Sequence, residues 1–114
     1  MKVAVIGSRD LTISNLGDDL PPETTVIISG GARGIDTCAR EYAHAHGVPL
    51  REIRPQYGRY PSNAAPVIRN ELIIAEADLV LAFWDGQSTG TAGVIEKCRA
   101  LGKECRVALI HGGQ

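Results

Sequence analysis

Residues 24–47 read TTVIISGGARGIDTCAREYAHAHG and carry the clearest signal of the chain's architecture. The apolar run at residues 26–29 has no alternating polar residues, which is typical of a strand buried on both faces. A glycine-rich turn follows, and apolar residues then recur at the spacing of one helix face up to Gly47, a residue type that commonly ends a helix. Those apolar residues are Ile35, Cys38, Ala39 and Tyr42. The stretch therefore predicts a strand and a helix joined by a tight turn.

The same alternation of strand and helix runs through the whole chain. Further strands are predicted at residues 3–6, 49–53, 78–84 and 105–110, a weak helix or turn at residues 11–20, and helices at residues 66–77 and from the STGT turn to Gly102. Five strands separated by helices or long loops pair in parallel, with helices on both faces of the sheet. The fold class is therefore α/β, a Rossmann-like three-layer sandwich around a central parallel five-stranded sheet of order 3-2-1-4-5. Residues 1–110 are predicted to form one domain and residues 111–114 a tail.

Length, charge and hydropathy exclude several classes of protein. The chain has 114 residues, a net charge of −1 and a pI near 6.3, so no overall basic field favours nucleic acid or an anionic membrane. No apolar run approaches the ~20 residues of a membrane span. The first apolar run is also too short for the core of a signal peptide. We therefore expect no membrane partner.

The positions of cysteine and histidine argue against a disulfide framework or a metal site. Three cysteines are present, which is an odd number, and no CxxC pair occurs. A reduced, cytoplasmic location is the simplest interpretation. His44 and His46 lie two residues apart and point to different sides of their helix, so they are poor joint ligands. We expect no metal and no cofactor.

Three strand ends carry small, hydroxyl-bearing or cationic residues. In parallel sheets of this kind, ligands bind outside the carboxyl ends of the strands near the point where the strand order reverses, here between strands 1 and 4. The first turn contains Gly7, Ser8 and Arg9, the second Ser29, Gly30, Gly31, Arg33 and Gly34, and the third Trp84, Ser88, Thr89, Gly90 and Thr91. We expect all three turns to open on the same rim.

The two glycine-rich turns that lead into helices are predicted to bind phosphate. Such a turn leaves backbone N–H groups unpaired at the positive end of the helix dipole. Gly30 and Gly31 have no Cβ to keep an anion away, and Arg33 supplies a planar cation suited to phosphate. In the STGT turn, Ser88 or Thr89 is predicted to cap the helix. A tight structural connection explains the SGGARG turn equally well, and a plain capping box explains STGT.

Other residues near this rim have two interpretations each. Arg69 and Asn70 lie in the first turns of the third helix, within reach of the rim, although a solvated surface arginine fits the spacing equally well. Trp84 can stack on a base, while an interior or interface position is commoner for tryptophan. The GGxxG pattern is not GxGxxG, and Asp36 does not match an acidic ribose ligand ~20 residues on, so a NAD site is disfavoured. The P-loop pattern is absent.

Several segments together resemble one known superfamily. GSRD after the first strand, SGGARGID after the second, IRNELIIAEADLVLAFWDG and STGT resemble, in order, segments of the SLOG superfamily. This superfamily includes DNA-processing protein A (the Smf family), the lonely-guy phosphoribohydrolases and the small stand-alone YspA-like proteins, to which the AFWDG segment is most similar. The resemblance implies a pocket for nucleotides or nucleotide-derived ligands. Its lining would be Gly7, Ser8, Arg9, Gly30, Gly31, Arg33, Gly34, Ser88, Gly90 and Thr91.

The branches of the superfamily imply different activities. Lonely-guy enzymes hydrolyse the N-glycosidic bond of nucleoside 5′-monophosphates with an arginine that corresponds to Arg69 and a glutamate whose place is taken here by Gly93. The change to Gly93 weakens the hydrolase assignment, because such hydrolysis needs a carboxylate near the anomeric carbon. DNA-processing protein A binds single-stranded DNA, but Glu71 replaces an arginine of its RNRII segment and lowers the positive charge that such binding needs.

The sequence therefore favours a binding module over an enzyme. The predicted function is binding of a nucleotide or nucleotide-derived phosphate ligand at the carboxyl end of the sheet by a stand-alone SLOG domain. A phosphoribohydrolase of lonely-guy type that uses Arg69 is the first alternative, and a single-stranded DNA-binding protein is the second. The expected partner is a nucleotide-type small molecule, and a homodimer is compatible with the apolar helices around a small sheet.

Overall fold

The computed structural model describes residues 1–110, which form a five-stranded sheet flanked by helices. The strands are β1 (Lys2–Gly7), β2 (Val26–Ser29), β3 (Leu50–Glu52), β4 (Leu79–Trp84) and β5 (Cys105–Leu109). The helices are α1 (Leu16–Asp19), α2 (Ile35–His46), α3 (Ala65–Glu76) and α4 (Thr89–Leu101). Residues 111–114, predicted as a tail, lie outside the described part of the chain. Each predicted strand and helix is present, and the largest difference is at α1, which was predicted as a weak helix or turn over residues 11–20 and covers only Leu16–Asp19.

The sheet is entirely parallel, and its order is β3-β2-β1-β4-β5, as predicted. β1 lies in the centre, where Val3 pairs with Ile27 of β2 on one side and Leu79 of β4 on the other. The edge strands β3 and β5 are more exposed than the strands between them. The order reverses between β1 and β4, so the crevice in which such sheets bind ligands lies at the carboxyl ends of these two strands.

The core has two halves, one on each face of the sheet. Val3 and Val5 of β1 pack on the face covered by α1 and α2, whereas Ala4 and Ile6 pack on the face covered by α3 and α4. The helix residues that complete the two halves are Ile35, Ala39 and Ala43 on the first face and Ile73, Ile74, Val94, Ile95 and Cys98 on the second. Burial of each large apolar side chain contributes about 1.5–3 kcal/mol. Because the central strands are apolar on both faces, helices must cover both, which gives three layers.

The helix ends determine which backbone groups face the carboxyl edge of the sheet. α2 stops at Gly47 and α4 at Gly102, as predicted, and both glycines are left-handed with φ of 66° and 69°. The other ends of these helices follow the carboxyl ends of β2 and β4, so their unpaired N–H groups lie at that edge. No helix in residues 1–110 has the length and apolar character that crossing a membrane requires.

Candidate ligand-binding cleft

A cleft of about 560 Å³ opens at the carboxyl ends of β1, β2 and β4, beside the point where the strand order reverses. Its wall contains residues from all three turns that the sequence placed on one rim. The predicted site residues that line it are Gly7, Ser8, Arg9, Gly30, Arg33, Arg69, Asn70, Ser88, Thr89, Gly90 and Thr91. The three turns therefore meet at one cavity, whose volume falls in the range of about 300–1,000 Å³ that is usual for small-molecule sites.

Four predicted site residues do not line the cleft, namely Ser29, Gly31, Gly34 and Trp84. Ser29 is fully buried, and its hydroxyl accepts a hydrogen bond from the Gly31 amide at 3.3 Å. Gly34 has a φ of 74°, and a Cβ at this position would overlap the backbone of Ser8 and Arg9. This glycine therefore lets the turn after β2 press against the loop after β1, which brings the two turns together.

Trp84 supports the start of α4 and does not offer a face to the cleft. Its side chain is partly buried and packs against the core half under α3 and α4. The indole Nε1 donates a hydrogen bond to the carbonyl of Ser88 at 3.0 Å. Of the two interpretations that the sequence allowed, the interior position is therefore the correct one for this chain.

Gly30 provides room for two charged side chains of the protein itself. A Cβ on this residue would lie 2.5 Å from Nη1 of Arg69 and 3.0 Å from Oδ2 of Asp36. Arg69 donates from Nη1 to the Gly30 carbonyl at 2.8 Å and from Nε to Oδ1 of Asn70 at 2.7 Å. Because only 7% of Arg69 is exposed, the alternative of a solvated surface arginine is wrong. Burial lowers the pKa of this guanidinium, and the neighbouring Asp36 carboxylate opposes that shift.

Asp36, in the first turn of α2, lies where the sequence predicted a bound anion. Its Oδ2 accepts a hydrogen bond from the Ala32 amide at 3.1 Å. Because Ser29 and Asp36 accept the amides of Gly31 and Ala32, the prediction that this turn leaves its N–H groups unpaired is wrong for those two residues. Asp36 is 7% exposed, and burial raises the pKa of its carboxyl group above 3.8, although the Ala32 amide and the Arg69 charge act in the opposite direction.

The sequence reasoning missed the acidic and apolar parts of the wall. The additional lining residues are Ile6, Asp10, Ala32, Asp36, Pro66, Ile73, Asp85, Gln87 and Val94. Asp36 could have been found from the sequence, because it is an acidic residue in the first helical turn after a glycine-rich turn. The spacing argument considered it only as a ribose ligand of a NAD site. No comparable signal existed for Ile73 and Val94, because both belong to apolar helix faces that also form the core.

The start of α4 keeps two backbone N–H groups available. Asp85 accepts the amides of Ser88 and Gln87 at 2.8 and 2.9 Å, and these hydrogen bonds lower the pKa of its carboxyl group. The next two amides, of Thr89 and Gly90, donate to no group within residues 1–110. Both residues line the cleft, at the positive end of the α4 dipole. This helix start therefore has the unpaired donors that the sequence predicted.

Ser88 and Thr91 add hydroxyl groups at the same helix start. Ser88 is the N-cap residue, as predicted, and its Oγ accepts the Thr91 amide at 3.5 Å and lies 3.4 Å from Oγ1 of Thr91. These two hydroxyl groups stabilise the first turn of α4 and also line the cleft.

Ser8 contributes a third hydroxyl group, from the end of β1. The residue is 3% exposed, and its Oγ is enclosed without a hydrogen-bond partner in the described part of the chain. It lies near enough to Asp85 to help lower the pKa of that carboxyl group, but does not form a hydrogen bond of normal geometry with it. An unpaired buried hydroxyl costs about 1–3 kcal/mol. A ligand would remove this cost only if the Ser8 side chain turned to bring its hydroxyl into the cavity.

Arg9 and Arg33 lie on the exposed rim of the cleft. Nη2 of Arg33 is 3.2 Å from Oδ1 of Asp10, and 73% and 86% of the two side chains are exposed. An exposed ion pair of this kind contributes only about 0–1 kcal/mol. Arg33 can therefore exchange Asp10 for an anionic ligand at little cost, and both arginines add positive potential at the mouth of the cleft.

The fold and this cleft define an α/β protein of Rossmann-like architecture with a polar cavity at its strand ends. Residues 1–60 match the family model described as YAcAr: YspA, cpYpsA-related SLOG family. The chain belongs to this SLOG family, which confirms the resemblance that its motifs indicate. Membership supports a general role in binding or processing nucleotide-related ligands.

A curated relative extends the similarity along the chain. The Gene 61 protein of Mycobacterium phage D29 is 33% identical over 113 residues, an alignment that covers 89% of this chain and 90% of the relative. The likeness therefore continues well beyond residue 60, into the half that contains α3 and α4. No solved structure shows a significant match to the chain.

Proposed function

We propose that this protein binds a nucleotide or nucleotide-derived ligand in the cleft and holds its phosphate at the start of α4. The observation that carries the proposal is a set of donors that lack partners within residues 1–110. The amides of Thr89 and Gly90 belong to residues that line the cavity, and the Ser8 side chain, which lines it too, must turn to present its enclosed hydroxyl. A phosphate oxygen accepts hydrogen bonds from each of them, and the α4 dipole favours a negative charge there.

The SGGARG turn has a different part in this proposal. Its Ala32 amide is bound to the Asp36 carboxylate, and a second anion at that position would be repelled by the first. The turn therefore orders Arg69 and Asp36 in the cleft wall and does not receive the phosphate itself. Arg9 and Arg33, on the rim, attract the anionic ligand over a longer range.

The binding free energy that these contacts supply indicates that phosphate is only part of the ligand. Hydrogen bonds to a charged group contribute about 1.5–3 kcal/mol each, and a helix start adds about 0.3–1 kcal/mol. Association costs an estimated ~4–15 kcal/mol of translational and rotational freedom. We therefore expect inorganic phosphate alone to bind weakly, at roughly millimolar concentration. The remaining volume of the cleft must contact a larger group to reach useful affinity.

Two variants of Gly90 test the position of the phosphate. A Cβ at this residue would contact nothing within 4 Å, so the first side-chain atom is accommodated without strain. Gly90→Asp places a negative charge among the free amides, whereas Gly90→Asn has nearly the same volume and no charge. Isothermal titration calorimetry with AMP, ADP, ribose 5-phosphate and adenosine is expected to show binding of the phosphate-containing compounds to the wild-type protein.

The charged variant is expected to weaken that binding by about 100-fold, equivalent to ~2.8 kcal/mol, and the neutral variant by less than about 5-fold. An acidic residue in the first helical turn stabilises a helix, so Gly90→Asp is expected to fold at least as stably as Gly90→Asn. Equal affinity of the two variants would contradict a phosphate at this helix start. Absence of binding by every compound to the wild-type protein would contradict the proposed function as a whole.

Hydrolysis of a nucleoside 5′-monophosphate is a second candidate, because the cleft contains a carboxyl group suited to acid–base chemistry. Burial raises the pKa of Asp36, and the side chain lies near the buried Arg69 in the cavity wall. Perturbed carboxyl groups in a cleft are candidates for proton transfer. Chromatography of AMP incubated with the protein would detect free adenine and ribose 5-phosphate. Release that disappears in Asp36→Asn would support the enzyme, and tight binding without release would exclude it.

A further inference from the structure

The cleft wall at the start of α2 contains the Asp36 carboxylate. One of its oxygens accepts a hydrogen bond from residues 1–110, and the other does not. Oδ2 of Asp36 accepts the Ala32 amide at 3.1 Å, whereas Oδ1 accepts no hydrogen bond from residues 1–110. In residues 1–110, the enclosed side-chain polar atom that lacks a hydrogen-bond partner is Oγ of Ser8, and Oδ1 of Asp36 is not such an atom. Oδ1 of Asp36 is therefore not enclosed, and since Asp36 lines the cleft, this oxygen is reached from the cavity.

Arg69 lies beside this carboxylate and is only partly engaged by the protein. Its Nη1 donates to the Gly30 carbonyl and its Nε to Asn70, and Nη2 donates to no group within residues 1–110. Arg69 and Asp36 approach the same Cα, because a Cβ on Gly30 would lie 2.5 Å from Nη1 of Arg69 and 3.0 Å from Oδ2 of Asp36. Their charged groups do not form a direct ion pair. One wall therefore presents an acceptor and a donor side by side.

Three common ligand groups differ in how well they fit this pair. A dianionic phosphate has no proton to donate to Asp36 and is repelled by its negative charge. An ammonium group cannot accept a hydrogen bond from Arg69 and is repelled by that guanidinium. A hydroxyl group donates one hydrogen bond and accepts two, so it satisfies the carboxylate and the guanidinium at once.

We propose that Asp36 and Arg69 form a sugar-hydroxyl subsite, so that the ligand is a phosphorylated sugar or a ribonucleotide and its hydroxyl-lacking analogues are rejected. This inference rests on the proposed function, because the same cleft must hold the phosphate at the start of α4. Asp36 is the residue that determines specificity, since its carboxylate accepts a hydrogen bond from the hydroxyl group that the deoxy analogue lacks. A site built around a polar ligand group discriminates strongly, because the analogue leaves a buried charge unpaired.

The test compares matched ligands that differ by one hydroxyl group. Calorimetric titrations use ribose 5-phosphate with 2-deoxyribose 5-phosphate, and AMP with its 2′-deoxy and 3′-deoxy analogues. The wild-type protein is expected to bind the ribose compounds at least about 10-fold more tightly than one of the deoxy analogues, the effect of one hydrogen bond to a charged group.

Asp36→Asn removes the charge and keeps an oxygen for the Ala32 amide. We expect it to weaken binding of the ribose compounds by about 10-fold and to reduce the preference over the deoxy analogue to less than about 2-fold. Asp18→Asn removes the same charge from an exposed position in α1 that does not line the cleft, and the preference is expected to remain at its wild-type value. Thermal unfolding of Asp36→Asn confirms that the variant is folded before its binding is measured.

The outcomes separate this inference from the proposed function. Equal binding of ribose and deoxyribose compounds by the wild-type protein would overturn the sugar-hydroxyl subsite and leave phosphate binding intact. An unchanged preference in Asp36→Asn would do the same. If no phosphate-containing compound binds the wild-type protein, the proposed function fails first and the subsite fails with it.

Discussion

The turns before α2 and α4 have similar compositions and different chemistry. SGGARG and STGT each join a strand to a helix at the carboxyl edge of the sheet. In SGGARG, the protein's own side chains occupy the turn, since Asp36 accepts the Ala32 amide and Arg69 donates to the Gly30 carbonyl. In STGT, the Asp85 carboxylate accepts only the amide of Ser88, and the next two amides, of Thr89 and Gly90, have no partner within residues 1–110. The difference teaches that glycine in a turn indicates a close approach to the backbone without identifying what approaches.

The largest effect that tests this comparison is expected from Arg69→Ala. The substitution leaves the buried Gly30 carbonyl without its donor and removes the nearest positive charge from Asp36. Loss of one partner from a buried ion pair lowers the free energy of unfolding by about 3–5 kcal/mol. Because Arg69 and Asp36 form no direct ion pair, we expect a smaller loss of about 2–4 kcal/mol. Urea unfolding followed by circular dichroism measures the change, and Arg69→Lys is expected to restore part of it. A loss below about 1 kcal/mol would be that of an ordinary surface change.

Alanine substitutions at Gly30 and Gly90 compare the stability effects of the two turns directly. At Gly30, the added Cβ would displace Arg69 and Asp36, and overpacking of this kind costs about 1–3 kcal/mol. At Gly90, the Cβ would meet nothing within 4 Å, and alanine in a helix is favoured over glycine by about 0.5–1 kcal/mol. We therefore expect Gly30→Ala to destabilise the fold and Gly90→Ala to be neutral or stabilising. Similar unfolding free energies for both variants would remove the distinction between an occupied and an open turn.

Asp36→Asn is expected to increase stability at neutral pH. Because burial raises the pKa of Asp36 even with Arg69 nearby, ionising this side chain costs more free energy in the folded protein than in the unfolded chain. We expect a gain of about 0.5–2 kcal/mol, the size of a common single stabilising substitution. The stability that Asp36 contributes is present in full below pH 3.8 and is lost as pH rises through the raised pKa of the folded state.

The pH dependence is the sharper part of that measurement. The advantage of Asp36→Asn over the wild-type protein should grow as pH rises above 3.8 and then level off at higher pH. Unfolding free energies of the two proteins from about pH 4 to pH 8 measure this difference. An advantage that shrinks as pH rises would mean that the ionised carboxylate stabilises the SGGARG turn.

The smallest effect is expected from Arg33→Ala. The arginine forms an exposed ion pair with Asp10, which contributes about 0–1 kcal/mol. Its loss should change the free energy of unfolding by less than about 0.5 kcal/mol. Binding of AMP should weaken a few-fold at low salt and hardly at all at high salt, because exposed charges are screened. A large, salt-independent loss of affinity would instead place Arg33 in direct contact with the ligand.

The fold was predictable from the sequence because each element is encoded locally. The apolar run at residues 26–29 and the helical spacing that follows it identify one strand–helix unit, and its repetition gives a parallel sheet. The strand order and the edge position of β3 are confirmed. The sequence also predicted that the turns after β1, β2 and β4 open on one rim, and residues of all three turns line one cleft.

The chemistry of the SGGARG turn was not predictable, because it depends on contacts between distant parts of the chain. Arg69 comes from α3 and reaches the Gly30 carbonyl across a separation of 39 residues. Whether Asp36 turns back to the Ala32 amide depends on how α2 is rotated when it packs on the sheet. Trp84 was ambiguous for the same reason, since its indole bonds a carbonyl that only the folded loop brings within reach.

That indole gives the molecule a built-in optical reporter. Trp84 is the sole tryptophan of the sequence, and its N–H is tied to the Ser88 carbonyl immediately before α4. We expect an anion bound to the neighbouring amides to change the electric field at the ring and so its fluorescence emission. Ligand affinities could then be followed without a dye or label.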